Sequence, residues 1–207
     1  MPSELSLNVA AFAEPLAVAL HAINQAGSLL GAEVLINGSG PIGALVLLAA
    51  KLAGAKSITM TDIRDAPLSV VSELGADKTF NVNSGASALI DEDNPRGSFD
   101  VAFDASGSLQ AVLAAINNIR PGGSLIQIGT FAEPNISLPS RQLMVKEIIM
   151  KSSFRFDKEF AWAVDYLAKN KIDVMPLLTH TFPMEDANKA FLTASDRENT
   201  MEVQLTF

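Results

Sequence analysis

The strongest constraint on this chain is a six-residue run, Gly38-Ser39-Gly40-Pro41-Ile42-Gly43, set between two apolar segments. A G-x-G-x-x-G pattern alone carries little weight. Its context carries more. Glu33-Val34-Leu35-Ile36-Asn37 reads as a buried strand, and residues 41–53 read as an apolar helix closed by Gly54. A glycine turn from strand to helix offers free backbone N–H groups and a positive helix end to an anion. In such a loop Gly38 permits the tight turn, Gly40 lets the backbone approach a pyrophosphate, and Gly43 lets the helix pack closely. Asp62 follows at the end of a second strand, roughly 20 residues on, where this kind of loop expects an acid for ribose hydroxyls. Its charge would repel a ribose phosphate, while that of Arg64 would attract one. The pair points to NAD as cofactor, with NADP left open.

Strands and helices then alternate. Residues 57–61, 78–81, 100–104 and 124–128 read as strands, and a sixth starts at Glu147. Helices are expected near 67–74, 87–90 and 109–119, and residues 120–123 as the stop of the last of these. A leading helix spans residues 9–26, with Pro15 as an alternative start and Gly27 as its end. This order predicts an α/β fold, a doubly wound parallel Rossmann sheet with right-handed crossovers. The pattern changes near Asp157. Residues 157–169 and 184–194 read as helices, and 201–207 as an alternating strand with no evident partner. The expected division is a dinucleotide-binding domain over 1–156 and a C-terminal return segment over 157–207.

Composition narrows the function. A formal net charge of -8 disfavours a nucleic-acid surface. With no cysteine and only His21 and His180 as histidines, no metal site is expected within the chain. His21 reads as a packed polar residue on the leading helix. No uninterrupted apolar run reaches the roughly 20 residues that span a bilayer, and no signal peptide is evident, so a cytoplasmic location without membrane contact is the expectation. No nucleophile elbow or phosphate-binding Walker loop is present. In an open parallel sheet the ligand crosses the carboxyl ends of the strands. Ser106, in the turn Asp104-Ala105-Ser106-Gly107, and Ile128-Gly129-Thr130 are therefore candidate cofactor contacts. Arg155, flanked by aromatics in Ser152-Ser153-Phe154-Arg155-Phe156, suits a phosphate or a hydroxylated substrate. Glu14 precedes Pro15 at a helix start, where a carboxylate also simply favours the dipole.

Ala13-Glu14-Pro15-Leu16-Ala17-Val18, the glycine loop, Leu74-Gly75-Ala76-Asp77 and Ser153-Phe154-Arg155 together resemble the zinc-dependent medium-chain dehydrogenases, within them the polyol dehydrogenases of the sorbitol type. Ile172-Asp173, Pro176-Leu177-Leu178 and Phe182-Pro183-Met184-Glu185-Asp186-Ala187 fit the same pattern. The resemblance covers nearly the whole chain. It implies that a catalytic domain carrying the zinc ligands lies upstream, and that zinc serves only the full-length enzyme. It implies hydride transfer between a polyol or sugar acid, such as L-idonate, and the nicotinamide cofactor, with this chain inactive alone. Glu14 would stand beside the zinc and substrate, and Arg155 would touch substrate and nicotinamide. Pro41, Ile42, Asp62, Ile128, Gly129, Thr130, Ser153 and Phe154 would line the cofactor. It implies a homodimer or homotetramer paired through the sixth strands, with 135–138 and 147–150 as candidate edges. It also implies that the return segment packs on the missing domain, leaving an apolar patch here. One departure stands out: Pro67 occupies a position where many relatives carry a basic residue. A zinc-independent reductase of the quinone type and a free-standing dinucleotide-binding module are the alternatives.

Overall fold

The computed structural model describes residues 5–84, 94 and 96–207. Its main layer is a six-stranded parallel sheet in the order β3-β2-β1-β4-β5-β6. The strands are β1 (Glu33–Asn37), β2 (Ser57–Asp62), β3 (Lys78–Asn81), β4 (Phe99–Asp104), β5 (Ile119–Gln127) and β6 (Ile149–Ser152). The order reverses between β1 and β4, which opens a crevice above their carboxyl ends. Val34, Leu35 and Ile36 are fully buried, as a central parallel strand covered on both faces requires. The expected doubly wound Rossmann sheet is what forms.

The helices are α1 (Leu7–Ala10), α2 (Ala13–Ala26), α3 (Pro41–Leu52), α4 (Asp65–Glu73), α5 (Leu109–Asn118), α6 (Ser140–Val145), α7 (Glu159–Ala168) and α8 (Ala187–Ser195). The leading helix breaks into two near Ala11 and Phe12. Pro15 falls in the first turn of α2, where its missing N–H costs nothing. Gly27 ends α2 at φ 89°. The stretch Leu7–Ala26 has 20 residues and by length and mean composition alone is apolar enough to cross a membrane, although Asn8, Glu14, His21, Asn24 and Gln25 interrupt it. Here it serves as a core helix: Leu16, Ala17, Ala19, Leu20 and Ala22 are buried, and α2 packs against α3 and α7.

Three further expectations are corrected. Residues 120–123 do not merely stop α5. They belong to β5 as an irregularity where the register to β4 shifts, from Phe99 opposite Ile119 to Val101 opposite Ser124. Helix α6 has no counterpart among the expected elements, and residues 135–138 form no strand, so β6 alone is the sheet edge on that side. The last strand, β8 (Glu202–Thr206), has a partner: it pairs in parallel with β7 (Leu178–Pro183) in a separate two-stranded sheet. The helix expected at 87–90 lies outside the described residues.

Ala163, Leu167, Ile172, Val174, Leu177 and Met201 join the same apolar cluster as α2, α3 and the sheet. Glu159, at the first position of α7, ties the two segments together with polar contacts. Its Oε1 accepts from Asn24 Nδ2 at 2.8 Å, its Oε2 accepts from the Asp157 N–H at 3.0 Å, and His21 Nδ1 lies 3.3 Å from Oε2. Burial raises its pKa, but N–H groups of Asp157 and of Glu159 itself, with His21 and Asn24, outweigh that and hold the carboxyl down at about 2.

Candidate functional site

The glycine loop leaves the carboxyl end of β1 and opens α3, with Gly40 as its N-cap and Pro41 at its first position. The three glycines separate cleanly by geometry. Gly38 has φ 93°, and a Cβ there would come within 2.9 Å of the Ser106 backbone nitrogen. A Cβ on Gly43 would collide with the Gly38 carbonyl, so that glycine is needed for the helix to approach the loop itself. Gly40 has an extended backbone any residue adopts, and a Cβ there would meet nothing within 4 Å. Its open side is the space a bound group would fill, next to the unsatisfied N–H groups of the α3 terminus.

Asp62 closes β2 beside this loop and is buried. Its Oδ2 accepts the Ser39 backbone N–H at 2.8 Å, and its Oδ1 accepts the Arg64 backbone N–H at 3.1 Å. Arg64 Nε lies 3.5 Å from the same Oδ1, and Arg64 Nη1 donates to the Arg197 carbonyl at 3.2 Å. The acid and the loop are thus one hydrogen-bonded unit, with Arg64 bound to both the acid and the return segment.

Across the crevice, the turns after β4 and β5 interlock. The Gly38 N–H donates to Thr61, that of Ala105 to Asn37, those of Ile128 and Gly129 to Asp104, and that of Ser153 to Gln127. Gly107 has φ 66°, and a Cβ on it would strike the Thr130 carbonyl, while one on Gly129 would strike Gly107. Fully buried Asp104 organises this region. It accepts from Ser106 Oγ at 2.5 Å, the Gly107 N–H at 3.1 Å and Gln127 Nε2 at 2.7 Å. Burial pushes its carboxyl pKa up, against hydrogen bonds from Ser106, Gln127 and Gly107 that pull it down. Gln127 also donates to the Gly129 carbonyl at 2.6 Å. Sequence reasoning does not single out Asp104 and Gln127 as site residues. A signal for them exists: two polar side chains at the carboxyl ends of otherwise apolar strands.

The structure therefore brings Gly38, Gly40, Pro41, Ile42, Gly43, Asp62, Arg64, Ser106, Ile128, Gly129 and Thr130 to one end of the sheet. Ser153 follows β6 at the same end and is buried with no partner for its Oγ. Phe154 is exposed, and Arg155 adopts φ 55°, with its guanidinium carbon 5.5 Å from the Phe154 ring centroid. A non-glycine residue at positive φ is costly and concentrates at functional positions. Glu14 is exposed on α2. Among the described residues no group of three or more acidic or histidine side chains is arranged to hold a metal ion.

Comparison with known proteins bears directly on this arrangement. The chain is 39% identical to L-idonate 5-dehydrogenase (NAD(P)(+)) of Escherichia coli over 209 residues, covering all of this chain and 59% of that protein. It is 34% identical to sorbitol dehydrogenase of Bos taurus, covering 94% of this chain and 55% of that one. The crystal structure of the E. coli L-idonate 5-dehydrogenase superposes with a TM-score of 0.92 over the whole chain. The chain thus spans little more than half the length of the relatives it matches. Residues 41–169 match the family model described as zinc-binding dehydrogenase, and the chain belongs to that family.

Proposed function

We propose that this chain is the nicotinamide-dinucleotide-holding portion of a dehydrogenase that moves hydride between a polyol or sugar acid of the L-idonate kind and NAD or NADP. The observation that carries the reading is the contrast within the glycine loop: Gly38 and Gly43 are closed by their neighbours, while Gly40 opens onto free space at a helix N-terminus. A dinucleotide fits there. Its pyrophosphate would meet backbone N–H groups of the Gly40–Ile42 turn, Pro41 having none to offer, and its ribose hydroxyls would reach Asp62. The partnerless, buried Ser153 Oγ, with Ile128, Gly129, Thr130 and Phe154, suits the nicotinamide end, where a bound cofactor supplies the hydride acceptor.

Zinc does not fit this chain's own residues. There is no cysteine, and His21 and His180 sit on α2 and β7. The chain's part is to bind and orient the cofactor, with Glu14 and Arg155 presented toward substrate held by a further domain. Residues 1–156 form the dinucleotide-binding part and 157–207 return toward that domain. The exposed Phe191, Leu192 and Phe207 are the apolar face the return segment would bury there. The L-idonate and sorbitol relatives favour this reading over a quinone-type reductase. A two-fold assembly through the open edge of β6 accompanies it, with exposed Met144, Val145 and Ile149 beside that edge. A single monomeric species in sedimentation, at high concentration, rejects that assembly.

Calorimetric titration of the chain with NAD and NADP tests the function. Saturable binding of at least one of them is expected, weakened about tenfold or more by Asp62→Ala, which is about 1.4 kcal/mol or more. Absence of binding removes the reading. Steady L-idonate oxidation by the chain alone, with or without zinc, removes the claim that it is inactive by itself.

A further inference from the structure

We propose that a turn in the return segment, residues 196–200, tunes the choice between NAD and NADP by restraining Arg64. The proposal rests on the dinucleotide reading above. Arg64 is the cation beside Asp62, and the two share an oxygen through both backbone and side chain. The far end of the guanidinium is committed elsewhere: Nη1 donates to the carbonyl of Arg197, 133 residues away. That carbonyl is held by a dense turn. Asp196 Oδ1 accepts from the Glu198 N–H at 3.2 Å, and Asp196 Oδ2 accepts from Asn199 Nδ2 at 2.8 Å. The single Thr200 hydroxyl proton is shared between two carbonyls in reach of Oγ1, that of Thr193 at 2.8 Å and that of Asp196. Arg197 to Met201 also lie against Ala66, Pro67 and Val70 of α4, around a small cavity.

The two cofactors make different demands on this arrangement. A ribose diol donates to Asp62 and leaves Arg64 where it is. A ribose 2′-phosphate is repelled by Asp62 and is accommodated only if a guanidinium turns toward it. To do so Arg64 must give up the Arg197 carbonyl. The hydrogen bond from the guanidinium to that exposed carbonyl must be given up first, so the restraint biases the chain toward NAD by several-fold. The turn thereby links the placement of the return segment to cofactor selection.

The test loosens the turn without touching the crevice. Asp196→Ala and Thr200→Val are made singly, and each is combined with Arg64→Ala; circular dichroism verifies folding, and either variant suffices if the other misfolds. Dissociation constants for NAD and NADP are measured by titration. Each single variant is expected to improve NADP binding relative to NAD by roughly three- to tenfold, and the change is expected to vanish when Arg64 is absent. A ratio that stays at the wild-type value overturns the proposal, as does an equal shift in the Arg64→Ala background. Failure of the wild-type chain to bind either cofactor instead overturns the dinucleotide reading itself.

Discussion

Single residues in this chain separate what the fold needs from what a ligand needs. Gly40→Ala and Gly43→Ala make the sharpest pair. The first puts a methyl into open space on an unstrained backbone, so its stability should stay within about 0.5 kcal/mol of wild type. Its dinucleotide affinity should nevertheless fall about tenfold or more. The second drives a methyl into the Gly38 carbonyl and should cost about 1–3 kcal/mol. Urea melts and cofactor titrations on both variants decide it, and equal destabilisation would erase the distinction. Glu159 gives a pH-dependent case. Its folded pKa, about 2, lies below the ordinary 4.5. Its contribution is therefore complete above about pH 4.5 and disappears as pH falls through about 2. Glu159→Gln should lower the melting temperature near neutrality, and the gap from wild type should close across that acid window. The glycines and Asp62 are legible in the sequence because their chemistry is local and their spacing is fixed by strand and helix lengths. Glu159 is not, because its partners, Asn24 and His21, are brought to it only by the packing of α7 on α2.

The same division holds for whole elements. The central strand β1 is readable to the residue, because an apolar run between glycines has few other fates, and the edge strand β3 also has its expected bounds. Helix α6 escapes a sequence reading because none of its residues is buried and no side chain caps its start. Strand β7 escapes because most of it is exposed and lacks an apolar face. What α6 contributes lies just past its end. Lys146 is buried, and its Nζ donates to the carbonyls of Ile116, Asn117 and Ile119 at 3.0, 2.7 and 2.8 Å. It thereby caps α5 at the negative end of its dipole and joins it to β5. Burial holds its ammonium pKa below the ordinary value, with repulsion from Arg96 adding to this. Lys146→Met keeps the stem and removes three donors. A loss of about 2–3 kcal/mol is expected, read as a lower urea midpoint with an unchanged slope. A midpoint at the wild-type value would mean that water caps α5 equally well.

For the molecule as a whole, the change of pattern near Asp157 marks a change of architecture but not of core. Helix α7 and the residues up to Leu177 bury Ala163, Leu167, Ile172, Val174 and Leu177 in the cluster that holds α2 to the sheet. Beyond Leu177, the β7-β8 pair and α8 make a layer of their own, attached through Met201, through Gln204 donating to the Asn8 carbonyl at 3.0 Å, and through Arg64. Two truncations should therefore behave differently. Removing residues 178–207 strips one buried methionine and a few hydrogen bonds from the main cluster, so a cooperative melt should survive at lower temperature. Removing 157–207 uncovers the α7 side of α2, whose buried residues include Leu16, Leu20 and Ile23. Four or five large apolar side chains lose burial at roughly 1.5–3 kcal/mol each, which matches or exceeds the roughly 5–15 kcal/mol that holds a typical domain folded. That variant should show no cooperative transition. Parallel calorimetry on the two truncations checks this, and a folded 1–156 chain would show that the sheet and α2 hold together without the α7 seam.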